Sequence, residues 1–122
     1  MKVGIAAVVP MLQANDLEET IRFYTQTLGF EVEQQTSRWC SLWWDQAELM
    51  FYEGGADSVA TGMSGLLYFY PDDVEALWEQ LKGRVAVERE LQMMEYGMLE
   101  FAIRDCNGYI LSFGESAEPE AA

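Results

Sequence analysis

The order strand, helix, strand, strand, strand runs twice through this chain, and that repetition limits its possible folds more than any other feature. Asp16-Leu17-Glu18 and Asp73-Val74-Glu75 open the two helices alike, 57 residues apart. In the first copy, Val3 to Leu12 is rich in Val, Ile and Ala and reads as a strand. Asn15-Asp16 then supplies a helix cap, with Glu19 placed to return the capping bond. Leu17, Thr20, Ile21, Tyr24 and Leu28 share one helical face, which predicts a helix over 16–28 that Gly29 ends. Phe30 to Thr36, Trp39 to Trp44 and Ala47 to Tyr52 follow as β-prone runs separated by polar pairs. Residues 53–65 hold four glycines and read as a linker.

The second copy starts with a strand from Leu66 to Tyr70. Pro71-Asp72-Asp73 opens a helix with Val74, Leu77, Trp78 and Leu81 as its apolar stripe, and Gly83 closes it. Strands are expected at Val85 to Leu91, Leu99 to Arg104 and Tyr109 to Phe113, with Asp105-Cys106-Asn107-Gly108 as the last turn. The acidic tail from Glu115 onward is expected to fray. The predicted class is α+β: one domain over 1–122, built of two βαβββ modules at about 3–52 and 66–113. Each module lays a helix on one sheet face and leaves the other free, so two curved mixed sheets can enclose a cleft, within one chain or between two.

Half of the 122 residues are apolar, ample for a packed core. Seven basic residues against 21 acidic ones leave a formal charge of -14. Such a surface repels phosphate backbones and anionic membranes, so no nucleic-acid or membrane partner is expected, while a neutral or cationic small molecule is accommodated more easily. The same carboxylates also serve plain solubility. Cys40 and Cys106 form no spacing motif, and neither a signal segment nor a spanning stretch is apparent, which makes the cytoplasm the expected location. No histidine is present to activate a serine or the Cys106 thiol, and no nucleophile elbow, dinucleotide fingerprint or P-loop occurs.

Several segments together resemble the vicinal oxygen chelate superfamily, and within it the glyoxalase and bleomycin-resistance branch. They are Val9-Pro10-Met11-Leu12, Asp16-Leu17, Ile21-Arg22-Phe23-Tyr24, Leu28-Gly29-Phe30, Ala47-Glu48-Leu49-Met50-Phe51 and Asp73-Val74-Glu75-Ala76-Leu77. Tyr96-Gly97-Met98-Leu99-Glu100-Phe101, Arg104-Asp105, Asn107-Gly108 and Ser112-Phe113-Gly114-Glu115 complete the set, which spans about 9 to 115. The resemblance implies paired βαβββ modules and a homodimer whose clefts draw on two chains. The metal-dependent members place His and Glu ligands at positions that match Val9, Glu48, Leu66 and Ser112 here, of which only Glu48 is a plausible ligand. The resemblance therefore points to the metal-free, drug-sequestering branch, with no catalytic residue, no metal and no cofactor. Cys106 stands where the family commonly has proline in this turn.

Period-two phase sorts the candidate ligand contacts. Glu48, Met50 and Tyr52 share one face, while Ala47, Leu49 and Phe51 suit packing under a helix. Tyr68 shares its phase with Leu66 and Tyr70, and Trp39 shares its phase with Trp43. Glu100 lies in phase with Met98 and Ala102, facing either cleft or solvent. The resemblance adds Tyr96 as an aromatic at the groove edge and Ser112 at the cleft face. The resulting expectation is a metal-independent binder that uses Trp39, Trp43, Glu48, Met50, Tyr68, Tyr96, Glu100 and Ser112. Its narrower form is sequestration of a cationic aromatic antibiotic of bleomycin type. Two alternatives stay open: a lyase or isomerase working through carboxylates with or without a divalent ion, and a structural dimer whose cleft its own side chains fill.

Overall fold

Each helix begins at an aspartate that takes up a free backbone N–H. Asp16 accepts from the Glu19 amide at 3.0 Å, and Asp73 from the Ala76 amide at 3.0 Å. Both residues are extended, with φ of -141°, the conformation expected of an N-cap. The repeated Asp-x-Glu signature is thus a repeated capping device. Asp73→Ala is expected to cost about 1 kcal/mol, read as a lowered urea midpoint at unchanged m-value.

The computed structural model describes residues 2–55 and 58–117. The chain divides into two units, Met1–Ala60 and Thr61–Ala122. In the first, β1 (Met11–Ala14), α1 (Leu17–Arg22), a π-helical turn (Phe23–Leu28), β2 (Glu31–Gln35), β3 (Trp39–Trp44) and β4 (Ala47–Glu53) follow in order. The sheet order is β1-β4-β3-β2, with β1 parallel to β4 and the other pairs antiparallel. The second unit repeats the plan with β5 (Leu67–Phe69), α2 (Val74–Leu81), β6 (Ala86–Met93), β7 (Met98–Arg104) and β8 (Ile110–Ser116). Its sheet order is β5-β8-β7-β6, with β5 parallel to β8. Two βαβββ modules are therefore present, as the sequence predicts.

The apolar stripes pack where phase places them. Tyr24 is fully buried and meets Phe51 at 4.8 Å and Phe30 at 5.4 Å between ring centroids. Cys40, Leu42, Leu49 and Phe51 fill the helix face of the first sheet, and burial pushes the Cys40 thiol pKa up. In the second unit, Phe69, Phe113 and Phe101 stack in a row at 4.9 and 5.1 Å, with Trp78 of α2 set against Phe101.

Several boundaries differ from expectation for identifiable reasons. The first strand spans four residues rather than Val3 to Leu12, and Val3, Ile5 and Val8 are at least 80% exposed. Pro10 accepts a bond from the Met50 amide but has no N–H to return, so the ladder stops there. The first helix does not stay α-helical to residue 28. Its last six residues widen into the π turn, where both Gly29 and Phe30 donate to the Tyr24 carbonyl, and Gly29 adopts φ 103°. Gly83 does not take up a left-handed cap, since α2 ends at Lys82 in right-handed geometry. Residues 53–65 are not all linker, because Glu53 closes β4 opposite Ala14. The short β5 loses Leu66 and Tyr70 from the expected strand, while β6 and β8 run longer than expected.

Glu115 and Ser116 are not frayed. They end β8, and the Glu115 carboxylate accepts from the Val74 amide at 2.9 Å, a tie on the start of α2. The remainder of the expected frayed tail, residues 118–122, lies outside the described residues, as do two residues of the expected linker. The turn after β7 forms as expected: Gly108 has φ 89°, and Asp105 Oδ1 accepts from the Asn107 and Tyr109 amides at 2.9 and 2.8 Å. Among the described residues, no helix is long and apolar enough to cross a membrane.

Candidate functional site

In each unit the sheet face turned away from the helix carries the polar and aromatic candidates. On the first sheet, register sets Trp39 beside Tyr52, Ser41 beside Met50 and Trp43 beside Glu48. Met11 and Gln13 of β1 extend the same face next to Met50 and Tyr52. The predicted group Trp39, Trp43, Glu48 and Met50 therefore shares one surface, all partly exposed. A partner that the sequence analysis does not single out is Glu33, in phase with Glu31 on this face at the register shift between Val32 and Gln34. Its carboxylate accepts from the Trp43 indole N–H and, at 3.5 Å, from the Ser41 hydroxyl. Glu31, Val32, Glu33 and Trp43 line an open groove of about 360 Å³ at this edge.

On the second sheet, one line of neighbours runs across all four strands: Arg89 beside Ala102, Ala102 beside Ser112, and Ser112 beside Tyr68. The adjacent line places Gln92, Glu100 and Gly114 side by side. Alanine and glycine at the crossing points leave room above the sheet for the longer side chains. Glu100 is only 1% exposed, and its Oε2 accepts from the Ser112 hydroxyl at 2.9 Å and from Arg89 at 3.0 Å. The Tyr68 ring crosses Gly114: a Cβ there would clash with the hydroxyl oxygen and fall 2.8 Å from Cζ and 3.2 Å from the Glu100 Cβ. Burial, and then the Glu100 charge, push the Tyr68 hydroxyl above its ordinary pKa, with Arg89 opposing, so it stays protonated and able to donate.

This cluster leaves polar capacity unused. Among the described residues, the Tyr68 hydroxyl, Arg89 Nε and Glu100 Oε1 are buried without a hydrogen bond of good geometry, although the Tyr68 hydroxyl lies close enough to the Glu100 carboxylate to interact with it. Each such atom costs about 1–3 kcal/mol, so three gathered in one place need a reason. The structure thus brings Tyr68, Glu100 and Ser112 together, and Glu100 lies on the face away from the helix. Tyr96, by contrast, is 61% exposed in the tight turn from β6 to β7, where Gly97 adopts φ 86° and donates to the Met94 carbonyl at 3.0 Å. Arg89 is the functional candidate that sequence reasoning missed. Register shifts on both sides of it break the alternation by which β6 would be read.

A divalent ion does not fit the four ligand positions that the resemblance implies. Of these residues only Glu48 carries a strong donor, since Val9 and Leu66 are apolar and Ser112 is a neutral hydroxyl, and the chain contains no histidine. Among the described residues, no three His, Cys, Asp or Glu groups converge on a common point. One carboxylate with neutral or apolar neighbours is too weak a donor set to retain such an ion.

The sequence matches the model of the Glyoxalase/Bleomycin resistance protein/Dioxygenase superfamily over residues 4–113. No curated protein matches the chain. Among solved structures, a protein of unknown function from Agrobacterium tumefaciens str. C58 is similar at a TM-score of 0.80 and 22% identity, covering 94% of this chain and 97% of that one. A glyoxalase/bleomycin resistance protein/dioxygenase from Nocardioides reaches 0.76 at 14% identity, covering 96% and 87%. The bleomycin-binding protein of Streptomyces verticillus, solved with copper(II)-bleomycin, reaches 0.69 at 21% identity, covering 97% and 100%. Likeness at these identities shows a shared fold.

Proposed function

The chain belongs to the Glyoxalase/Bleomycin resistance protein/Dioxygenase superfamily, and from that premise we propose that it is a metal-independent protein that binds a small molecule. The observation that carries this reading is the buried, partly unsatisfied group of Tyr68, Arg89 and Glu100, in a chain without a converging set of metal ligands among its described residues. A protein that keeps unpaired polar atoms inside gives up stability for something, and binding is the use that supplies their missing partners. The far face of the first sheet supports the same reading. Trp39, Trp43 and Met50 offer flat and polarizable surface, and Glu48 and Glu33 offer carboxylates.

The finer reading is sequestration of a neutral or cationic compound with planar rings, of the kind exemplified by the bleomycin-binding relative. The same reading makes the protein a homodimer acting in the cytoplasm, and the net charge of -14 speaks against nucleic acid and anionic membranes as partners.

The test is a thermal-shift screen of planar amines and antibiotics, metal-free bleomycin among them, followed by calorimetry in EDTA and in added zinc or magnesium. A ligand present at 100 times its Kd raises stability by about 2.7 kcal/mol. The expected result is saturable stabilisation that EDTA leaves unchanged, with the compound recovered intact. Turnover that EDTA abolishes and a single ion restores would overturn the proposal, as would a complete absence of ligands.

A further inference from the structure

The three unpartnered atoms of the second sheet specify more than the presence of a ligand. Glu100 Oε1 is an acceptor without a donor, Arg89 Nε is a donor without an acceptor, and the Tyr68 hydroxyl can act as either. The charges in the cluster already balance, because the Glu100 carboxylate is paired with the Arg89 guanidinium at 3.0 Å. An added cation would face the guanidinium, and an added anion would face the carboxylate. Neither is favoured in a setting where the carboxylate is 1% exposed and charges are poorly screened by water.

We propose that Tyr68, Arg89, Glu100 and Ser112 form a polar anchor that takes an uncharged group able both to donate and to accept hydrogen bonds, a carboxamide in chemical class. This deepens the binding reading above and rests on it. Two orphans of opposite sense on different side chains call for two polar atoms of opposite sense in one group. A carboxamide supplies them: its N–H donates to Glu100 Oε1, and its carbonyl oxygen accepts from Arg89 Nε–H. The Tyr68 hydroxyl completes the set as a further donor to the carbonyl.

The four residues divide into a fixed pair and a movable pair. Glu100 and Ser112 are at least 99% buried and bonded to each other on adjacent central strands. Tyr68 stands on the edge strand β5 and is half-buried, and the Arg89 side chain is 35% exposed. Approach to the carboxylate runs past these two, by rotation of the Tyr68 ring off Gly114 and of the arginine stem. Register shifts flanking Arg89 aim it inward from a strand whose other residues are largely exposed.

The experiment uses three probes of one shape and different charge: benzamide, benzamidine and benzoate. Each is titrated into the full chain labelled with ¹⁵N, and the Arg89 Nε–H resonance is followed. Benzamide is expected to shift it saturably and to bind about tenfold more tightly than either charged probe, the ratio that follows from one unsatisfied buried charge of modest cost. Tyr68→Phe removes a hydroxyl whose contact with Glu100 is poorly aligned in the free protein, so the variant folds with little change in Tm. It is expected to bind benzamide about fivefold more weakly. Benzamidine or benzoate binding as tightly as benzamide would overturn the assignment, and so would the lack of any saturable shift with benzamide. If benzamide fails while the wider screen yields an EDTA-insensitive ligand, the anchor is wrong and the binding function stands. If neither yields a ligand, both readings fall.

Discussion

Glu100→Ala is expected to lower the stability of the chain by about 3 kcal/mol, a larger loss than its removal of one small contact would produce. The carboxylate is 1% exposed and satisfies both the Ser112 hydroxyl and Arg89. Its removal leaves a buried hydroxyl without an acceptor and a guanidinium facing an apolar gap. The cost falls at the lower end of the range for broken buried pairs because Arg89 keeps 35% of its side-chain surface in water. Replacing both members, Glu100→Leu with Arg89→Met, removes the charges together but still strands the Ser112 hydroxyl, so it is expected to recover part of the loss and leave a deficit of about 1–2 kcal/mol. Urea denaturation of the three proteins measures this directly. A single variant as stable as the parent would mean that the pair is solvated and contributes little.

Gly114→Ala carries the second large effect, through crowding rather than loss. The added methyl would clash with the Tyr68 hydroxyl and approach the Glu100 Cβ to 3.2 Å. The tyrosine must swing off the sheet, which costs about 1–3 kcal/mol and opens the polar cluster to water. Most of the penalty should vanish with Tyr68→Ala already in place, leaving only the tight approach to the Glu100 Cβ, which the strand preference for alanine offsets by about 0.5–1 kcal/mol. A double-mutant cycle across positions 68 and 114 isolates this coupling. Additivity within about 0.3 kcal/mol would show that the ring does not rest where the structure puts it.

The contrast between these two sites shows how far the sequence can be read. Glycine leaves no phase signal of its own, and Gly114 gains its meaning only from a tyrosine on a strand far away in sequence. Phase does place Tyr68 and Ser112, and it places Glu48 and Met50 opposite Leu49 and Phe51, because β4 and β8 run without register shifts through their pairings with β3 and β7. The two Asp caps are equally legible, since capping is settled within four residues of chain. Arg89 and Glu33 are not. Arg89 sits at an irregularity in its strand, where a regular alternation assigns the wrong face and only the pairing partners reveal the slip, while Glu33 stands in phase with Glu31 but gains its role only from the Trp43 and Ser41 side chains across the sheet. The early end of β1 and the π turn belong to the same class. The apolar run from Val3 onward outweighs the one sign that its ladder stops, the missing N–H of Pro10, and a helix that widens keeps the same buried face.

The two cysteines fall one in each unit, and their surroundings differ. Cys40 is wholly enclosed beneath the first helix with its thiol pKa raised, whereas Cys106 sits in a partly open turn of the second unit. A thiol reagent added to the native chain therefore labels Cys106 promptly and Cys40 only when the first unit opens. The slow labelling phase is a clock for fluctuations of that unit alone. It can be read without any engineered probe, and a ligand seated on the first sheet would slow it.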